Sequence, residues 1–414
     1  MLKTQRFMLK TKRDVLVILV QLVVFVVFGS VFIKTVAGQS AAVQYAALQK
    51  GQRDCVVGEP TNSIFRVKRI PSVKVLQSRV KKAETSWLEG NEVVFAYQKN
   101  ADSVEFSGGN SWAMTRVPGT DFWTLVLQIP EVNRATISYQ FMVSKGDDLK
   151  IEPETPEVFR GSKTPPALRQ TANLRGRLSE EIIQSSNLSE PRSLTIYSPP
   201  LRAGEQIAAV VYMADGQAVK LMAPYVEPLI VSRSLPPVLL VGVHRGKVLP
   251  GNPNVNDFRG REYLLRFGET DERFVAHERF LIEEVLPWAE EKLSAPKDKN
   301  KRAVFGASNG GSFALAMGIR HPEIFGHIIA FSATWSHNLS TPSWKPAQAP
   351  SQYLLVGTLE SANVRKLNKE WSETAKKSRA TVTLREPVAG HDGVVWREWF
   401  PNSLLTEFGK TKAN

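Results

Sequence analysis

One cysteine, Cys55, occurs in 414 residues. No internal disulfide is possible, so the fold is held by packing. Histidines number six, and none stands with Cys55 or another histidine at metal-ligand spacing. That excludes a structural zinc site and gives no reason to expect a cofactor. No sequence unit recurs at a fixed period, which excludes a solenoid. No basic run is interleaved with aromatics, which argues against a nucleic-acid groove. Acidic residues are in deficit, 40 against 53 basic, for a net charge of +13. Such an excess suits an anionic substrate or membrane surface as well as a plain solvated exterior.

Long apolar runs are also rare, and the clearest one is terminal. Lys3, Arg6, Lys10, Lys12 and Arg13 precede an apolar stretch from Val15 to Ile33. A basic flank before an apolar core predicts a signal peptide or a single membrane anchor over 1–38. Small residues for cleavage collect at Val36-Ala37-Gly38 and Ser40-Ala41-Ala42. With either outcome the basic side stays in the cytoplasm and the rest is exported. The expected location is the periplasm, free or anchored to the inner membrane.

At this length two to three domains are expected, and 43% apolar residues suffice for their cores. Residues 39–84 show no clear period and read as a lead-in. Short β-branched and aromatic runs at Val93–Tyr97, Ser103–Phe106, Phe122–Leu127 and Thr136–Val143 predict a small β-sandwich over 85–150. Residues 151–191 are polar and carry Pro153, Pro156, Pro165 and Pro166, so they read as a linker. From 192 to 414 strands and helices alternate. Val238–Val243 is continuously apolar, as in a strand buried on both faces. Phe274–Leu293 and Ala362–Lys377 have helical spacing. The pattern predicts an α/β domain with a mostly parallel sheet and helices on both faces.

Gly306-Ala307-Ser308-Asn309-Gly310 fits G-x-S-x-G. A serine at the tip of a sharp strand-to-helix turn needs small neighbours, because the turn is tight and its backbone strained. Ala303-Val304-Phe305 before it reads as strand, and Gly311 to Met317 after it reads as helix. Ser308 is therefore the candidate nucleophile for acyl transfer. A serine hydroxyl needs a base in reach and an acid to orient that base, in the chain order Ser, acid, His. His391, in Ala389-Gly390-His391-Asp392-Gly393, follows the last strand and is the candidate base. Glu360 follows the strand Gln352–Gly357 and is the candidate acid. Asp392 is the competing carboxylate, but adjacent residues of an extended chain point apart. The oxyanion donors are expected from the backbone of Asn309 and of Gly216 or Gln217, after the strand Ile207–Met213. Arg245, Arg261, Trp335 and His337 are candidates for shaping the binding cleft.

These residues resemble one family. Arg116-Val117-Pro118-Gly119-Thr120-Asp121-Phe122-Trp123, Val211 to Gln217, Arg261-Glu262-Tyr263, the serine turn, and Gly390-His391-Asp392 with Trp396-Arg397 are similar to enterochelin (enterobactin) esterases. The resemblance covers about Asn91 to Phe408. It implies an α/β-hydrolase domain preceded by an immunoglobulin-like sandwich, a serine mechanism without metal, and Trp396 near the substrate. It implies a small-molecule ester substrate, in those enzymes a cyclic triester of catechol-acylated serine, often as its anionic ferric siderophore complex. Rival readings are an acyltransferase or carbohydrate side-chain esterase on the same fold, or a non-catalytic envelope binding protein.

Overall fold

The computed structural model describes residues 64–409, apart from 110, 247–257, 266–270, 335–341, 343 and 346–347. The expected export segment lies outside the described residues. Among the described residues, no helix is long and apolar enough to cross a membrane.

Residues 64–160 build two antiparallel sheets. Strands β1 (Phe65–Arg66), β2 (Ser86–Glu89), β3 (Glu92–Gln98), β6 (Thr115–Arg116) and β7 (Phe122–Gln128) form the first, in the order β1-β7-β3-β2 with β6 also on β7. Strands β4 (Ser103–Ser107), β5 (Ser111–Ala113), β8 (Thr136–Lys145) and β9 (Asp148–Arg160) form the second, in the order β5-β4-β8-β9. The period-two pattern of β3 explains the layering. Val93 and Phe95 enter a core shared with Phe106, Tyr139 and Phe141 of the second sheet. Val94 and Ala96 face the other way, onto Leu76 of helix α1 (Val73–Val80). That helix lies within the stretch read as a lead-in.

The expected linker, 151–191, departs from the sequence reading. It contributes most of β9 and all of β10 (Arg177–Ile183). Both are edge strands. An edge strand tolerates proline and polar side chains because one row of its backbone groups faces outward. Pro153 and Pro156 sit inside β9 for that reason.

The remaining strands are β11 (Arg192–Ser198), β12 (Ala209–Ala214), β13 (Val238–Val243), β14 (Arg302–Ala307), β15 (His327–Phe331), β16 (Ser351–Leu355) and β17 (Val382–Arg385). With β10 they make one eight-stranded sheet in the order β10-β11-β13-β12-β14-β15-β16-β17. β10 and β11 pair antiparallel, as do β11 and β13, and every other pair is parallel. Both faces are covered. On β12, Val210, Tyr212 and Ala214 point into one core while Val211 and Met213 point into the other. Helices α2 (Val219–Val231) and α8 (Gly393–Phe408) close the second face through Val226, Ile230, Phe400 and Leu404. Between them in the chain come α3 (Phe258–Tyr263), α4 (Glu272–Arg279), α5 (Leu286–Leu293), α6 (Asn309–Arg320) and α7 (Ala362–Lys377). The single helix expected over Phe274–Leu293 is α4 and α5 joined by a π-turn at Phe280–Val285.

Candidate active site

Ser308 sits where β14 ends and α6 begins. Its backbone is at φ 58° and ψ −125°, a strained conformation for a residue with a Cβ. The surroundings enforce it. A Cβ at Gly306 would overlap the carbonyl of Gly310, so glycine is required there. The Ser308 N–H donates to the Phe331 carbonyl at 2.8 Å, and Ser312 N–H donates to the Ser308 carbonyl at 3.2 Å. Ser308 is 4% exposed.

Glu360 follows β16 and is buried. Its Oε1 accepts from Ser332 Oγ at 2.6 Å and from Gly357 N–H at 2.8 Å. Its Oε2 lies 2.8 Å from His391 Nδ1. A carboxylate so held takes the Nδ1 proton as a third hydrogen bond, which leaves the lone pair on Nε2. The serine turn adjoins this array through consecutive residues, because Ser308 bonds Phe331 and the next residue, Ser332, bonds Glu360. Trp396 backs the imidazole edge-to-face, with ring centroids 4.7 Å apart, and its Nε1 donates to Ser332 Oγ at 3.0 Å. The structure thus brings Ser332, Glu360, His391 and Trp396 into one array of hydrogen bonds and an edge-to-face ring contact.

The loops of Glu360 and His391 are stitched together. Thr358 N–H donates to Pro387 O at 2.9 Å, and Leu359 N–H to Ala389 O at 3.0 Å. Asp392 does not contact the imidazole by any hydrogen bond. It caps α8, accepting from Val394 N–H at 2.8 Å, and reaches Ser138 of β8.

The expected oxyanion loop lies against the serine turn. A Cβ at Gly310 would stand 3.1 Å from Ala214 Cβ and 3.3 Å from Asp215 Oδ2. Asp215 is left-handed at φ 54°, and Gly216-Gln217-Ala218 follows as a short 3₁₀ turn. Gly216 is pressed onto β13, where a Cβ would meet the Gly242 carbonyl at 2.5 Å. Asn309 opens α6, so its backbone N–H has no carbonyl one turn earlier to bond. Its side-chain Oδ1 accepts from Thr334 Oγ1 at 2.7 Å.

Arg259, two residues before Arg261 in the same segment, ties the two loops. Its guanidinium pairs Asp215 at 2.7 Å to each carboxylate oxygen and donates to the Ala307 carbonyl at 3.3 Å. Tyr263 Oη accepts from the Asp215 N–H at 2.9 Å. Arg261, the candidate from sequence, lies on the exposed side of α3 instead. Two residues along a helix is a turn of about 200°, which separates the arginines. Arg245 is half-buried just past β13. Trp396 is 7% exposed, behind the histidine. Trp335 and His337 lie outside the described residues. Among the described residues, no cluster of three His, Cys, Asp or Glu side chains could hold a metal ion.

A mostly parallel sheet covered on both faces, with a strained serine turn and a histidine–carboxylate pair beside it, has the build of an α/β-hydrolase. The chain belongs to the esterase family: the family described as "Putative esterase" matches residues 185–406. It is a carboxylic ester hydrolase. The enterobactin esterase of Shigella flexneri, solved in the presence of enterobactin, matches with a TM-score of 0.63 at 18% identity, over 82% of this chain and 98% of that one. The same enzyme in the presence of 2,3-di-hydroxy-N-benzoyl-serine gives 0.60 at 17%, over 82% and 98%. The ferric enterobactin esterase of Salmonella typhimurium gives 0.60 at 17%, over 78% and 95%. The likeness is one of fold, and it extends beyond residues 185–406. None of the curated proteins matches the chain.

Proposed function

We propose that Ser308 is the nucleophile of a serine esterase, with His391 as base and Glu360 as the acid that orients it. Ser308 Oγ attacks the ester carbonyl while His391 Nε2 takes its proton. The oxyanion is held by the backbone N–H of Asn309 and that of Gly216 or Gln217. The alcohol leaves with the proton from His391, and water then releases the acid from the acyl-enzyme. The observation that carries this reading is the 2.8 Å contact of His391 Nδ1 with Glu360 Oε2, beside a serine held at φ 58°.

The substrate we infer is a catecholate ester of the siderophore type. The neighbours solved with enterobactin and with its benzoyl-serine unit support it, and so does the net charge of +13, which suits an anionic ester. We read the amino-terminal sheets as an immunoglobulin-like sandwich, and the basic, apolar amino terminus as an export signal or anchor that delivers the enzyme to the periplasm.

Turnover of a simple aryl ester by Ser308→Ala at the wild-type rate would sink the serine reading. So would a fluorophosphonate probe attached at another residue. A panel that includes catecholate triesters tests the substrate: no turnover of these removes the siderophore reading and leaves the esterase intact.

A further inference from the structure

The loop from Glu386 to Asp392, which carries His391, runs between two bodies, with bends at Val388 and His391. Three successive carbonyls in it, those of Pro387, Val388 and Ala389, bond to alternate sides. Pro387 O and Ala389 O accept from Thr358 and Leu359 beside the acid, within the hydrolase domain. Val388 O faces the other way and accepts from Thr136 N–H of β8 at 2.9 Å. Val388 and Leu359 are buried in the core of the amino-terminal sheets.

Two further contacts come from those sheets. Gly109, at the tip of the β4–β5 hairpin and at φ +72°, lies so close that a Cβ there would stand 3.1 Å from Gly390 Cα and from His391 N. One residue past the histidine, Asp392 is 3% exposed. Its Oδ1 accepts from Ser138 Oγ at 2.7 Å and its Oδ2 from Ser138 N–H at 2.8 Å. On the hydrolase side, the same carboxylate caps α8 through Val394 N–H at 2.8 Å and Val395 N–H at 3.4 Å. Burial pushes its pKa up against those four donors. Every side of the loop is therefore fixed, and half of the fixing comes from outside the domain that holds Ser308.

We infer that Ser138 and Asp392 are positioning residues for the base, so that the amino-terminal sheets are a working part of the active site and not an appended module. Ser138 fixes Asp392, Asp392 fixes the chain at His391, and the imidazole is thereby aimed. This rests on Ser308 being the nucleophile. A displacement of about 1 Å at a reacting group costs on the order of 10²-fold in rate, so a loosened clamp lowers the rate while leaving substrate contacts in place.

The test uses the full chain and an aryl ester, with kcat normalised to sites titrated by a fluorophosphonate. Ser138→Ala is expected to lower kcat about tenfold and Asp392→Asn about 10²-fold, with KM within about twofold of wild type and fluorophosphonate labelling slowed in step. Ser138→Thr, which keeps both the hydroxyl and the N–H, is expected to restore kcat. Arg160→Gln removes another contact between the two bodies, the ion pair with Glu398 of α8. It is expected to lower the melting temperature and leave kcat unchanged. The inference is overturned if Ser138→Ala and Asp392→Asn behave like Arg160→Gln, losing stability alone. Should Asp392→Asn not fold, the comparison of Ser138→Ala with Ser138→Thr decides. If Ser308→Ala keeps its turnover, the serine reading has failed instead, and the two failures are told apart.

Discussion

His391 Nδ1 lies 2.8 Å from Glu360 Oε2, and the other oxygen of that carboxylate is held by Ser332 Oγ and Gly357 N–H. The imidazole is thus fixed in one tautomer by a group that cannot itself turn. Glu360→Gln presents either an amide N–H or a single oxygen to Nδ1 and loses that control. It is expected to lower kcat by about 10³- to 10⁴-fold. KM changes little. Steady-state kinetics on an aryl ester read both, and a fall of less than tenfold would show that Glu360 does not orient the base.

The serine turn allows no side chain at Gly306. Gly306→Ala drives a Cβ into the Gly310 carbonyl, and backbone cannot yield there without moving Ser308. The expected loss is about 3 kcal/mol or more in stability, together with fluorophosphonate labelling. Denaturant unfolding and gel labelling check it. A stable, labelled Gly306→Ala protein would contradict the turn geometry.

Arg259 holds Asp215 and the Ala307 carbonyl together. Lysine keeps the charge but lacks the planar fork. Arg259→Lys is expected to lower kcat by about 10- to 10²-fold, because the Asp215–Gln217 loop, proposed to hold the oxyanion, is no longer tied to the serine turn. Unchanged kcat with raised KM would show instead that Arg259 serves substrate binding.

His277 is fully buried among Tyr263, Phe280 and Phe313, and burial lowers its pKa to about 4. Glu262, 3.9 Å away, acts in the opposite sense, while Arg192 and Arg273 add to the lowering. The sign follows. The unfolded chain takes a proton on this histidine near 6.5 and the folded chain resists until about 4. Stability from this group is therefore full above pH 6.5 and declines as pH falls toward 4. The loss is up to about 3 kcal/mol. His277→Phe, of similar shape, is expected to flatten that part of the curve of unfolding free energy against pH. An unaltered slope would show that other groups set it.

Ser308, His391 and Glu360 were legible as candidates because each is marked by local sequence. Ser308 is surrounded by residues small enough for its turn, and His391 and Glu360 lie in loops after apolar strands, in the chain order the chemistry uses. Val238–Val243 and Ala362–Lys377 were readable to the residue, since continuous apolarity and helical spacing are local signals. β9 and β10 were not, because an edge strand needs no apolar face and accommodates the prolines that suggested a linker. Arg259 differs from Arg261 only in helical phase within a six-residue helix, too short for a pattern. Asp392 looked like a rival acid; its partner Ser138 is 254 residues away, and no local pattern announces such a pairing. The place of Trp396 behind the histidine was hidden for the same reason, since its partners Ser332 and His391 meet it only in the folded chain.

That separation of Ser138 from Asp392 also sets an order in time. Ser138 leaves the ribosome long before Asp392, and the helix that Asp392 caps is the last among the described residues. Contacts so distant in sequence form late, after the loop-closure entropy of everything between them has been offset. Each half can therefore acquire most of its own core before the His391 loop docks, the docking adding Val388 and Leu359 to the amino-terminal core. Esterase activity becomes a late marker of maturation, reporting that both halves have met, where circular dichroism or a protease would report only that each has formed.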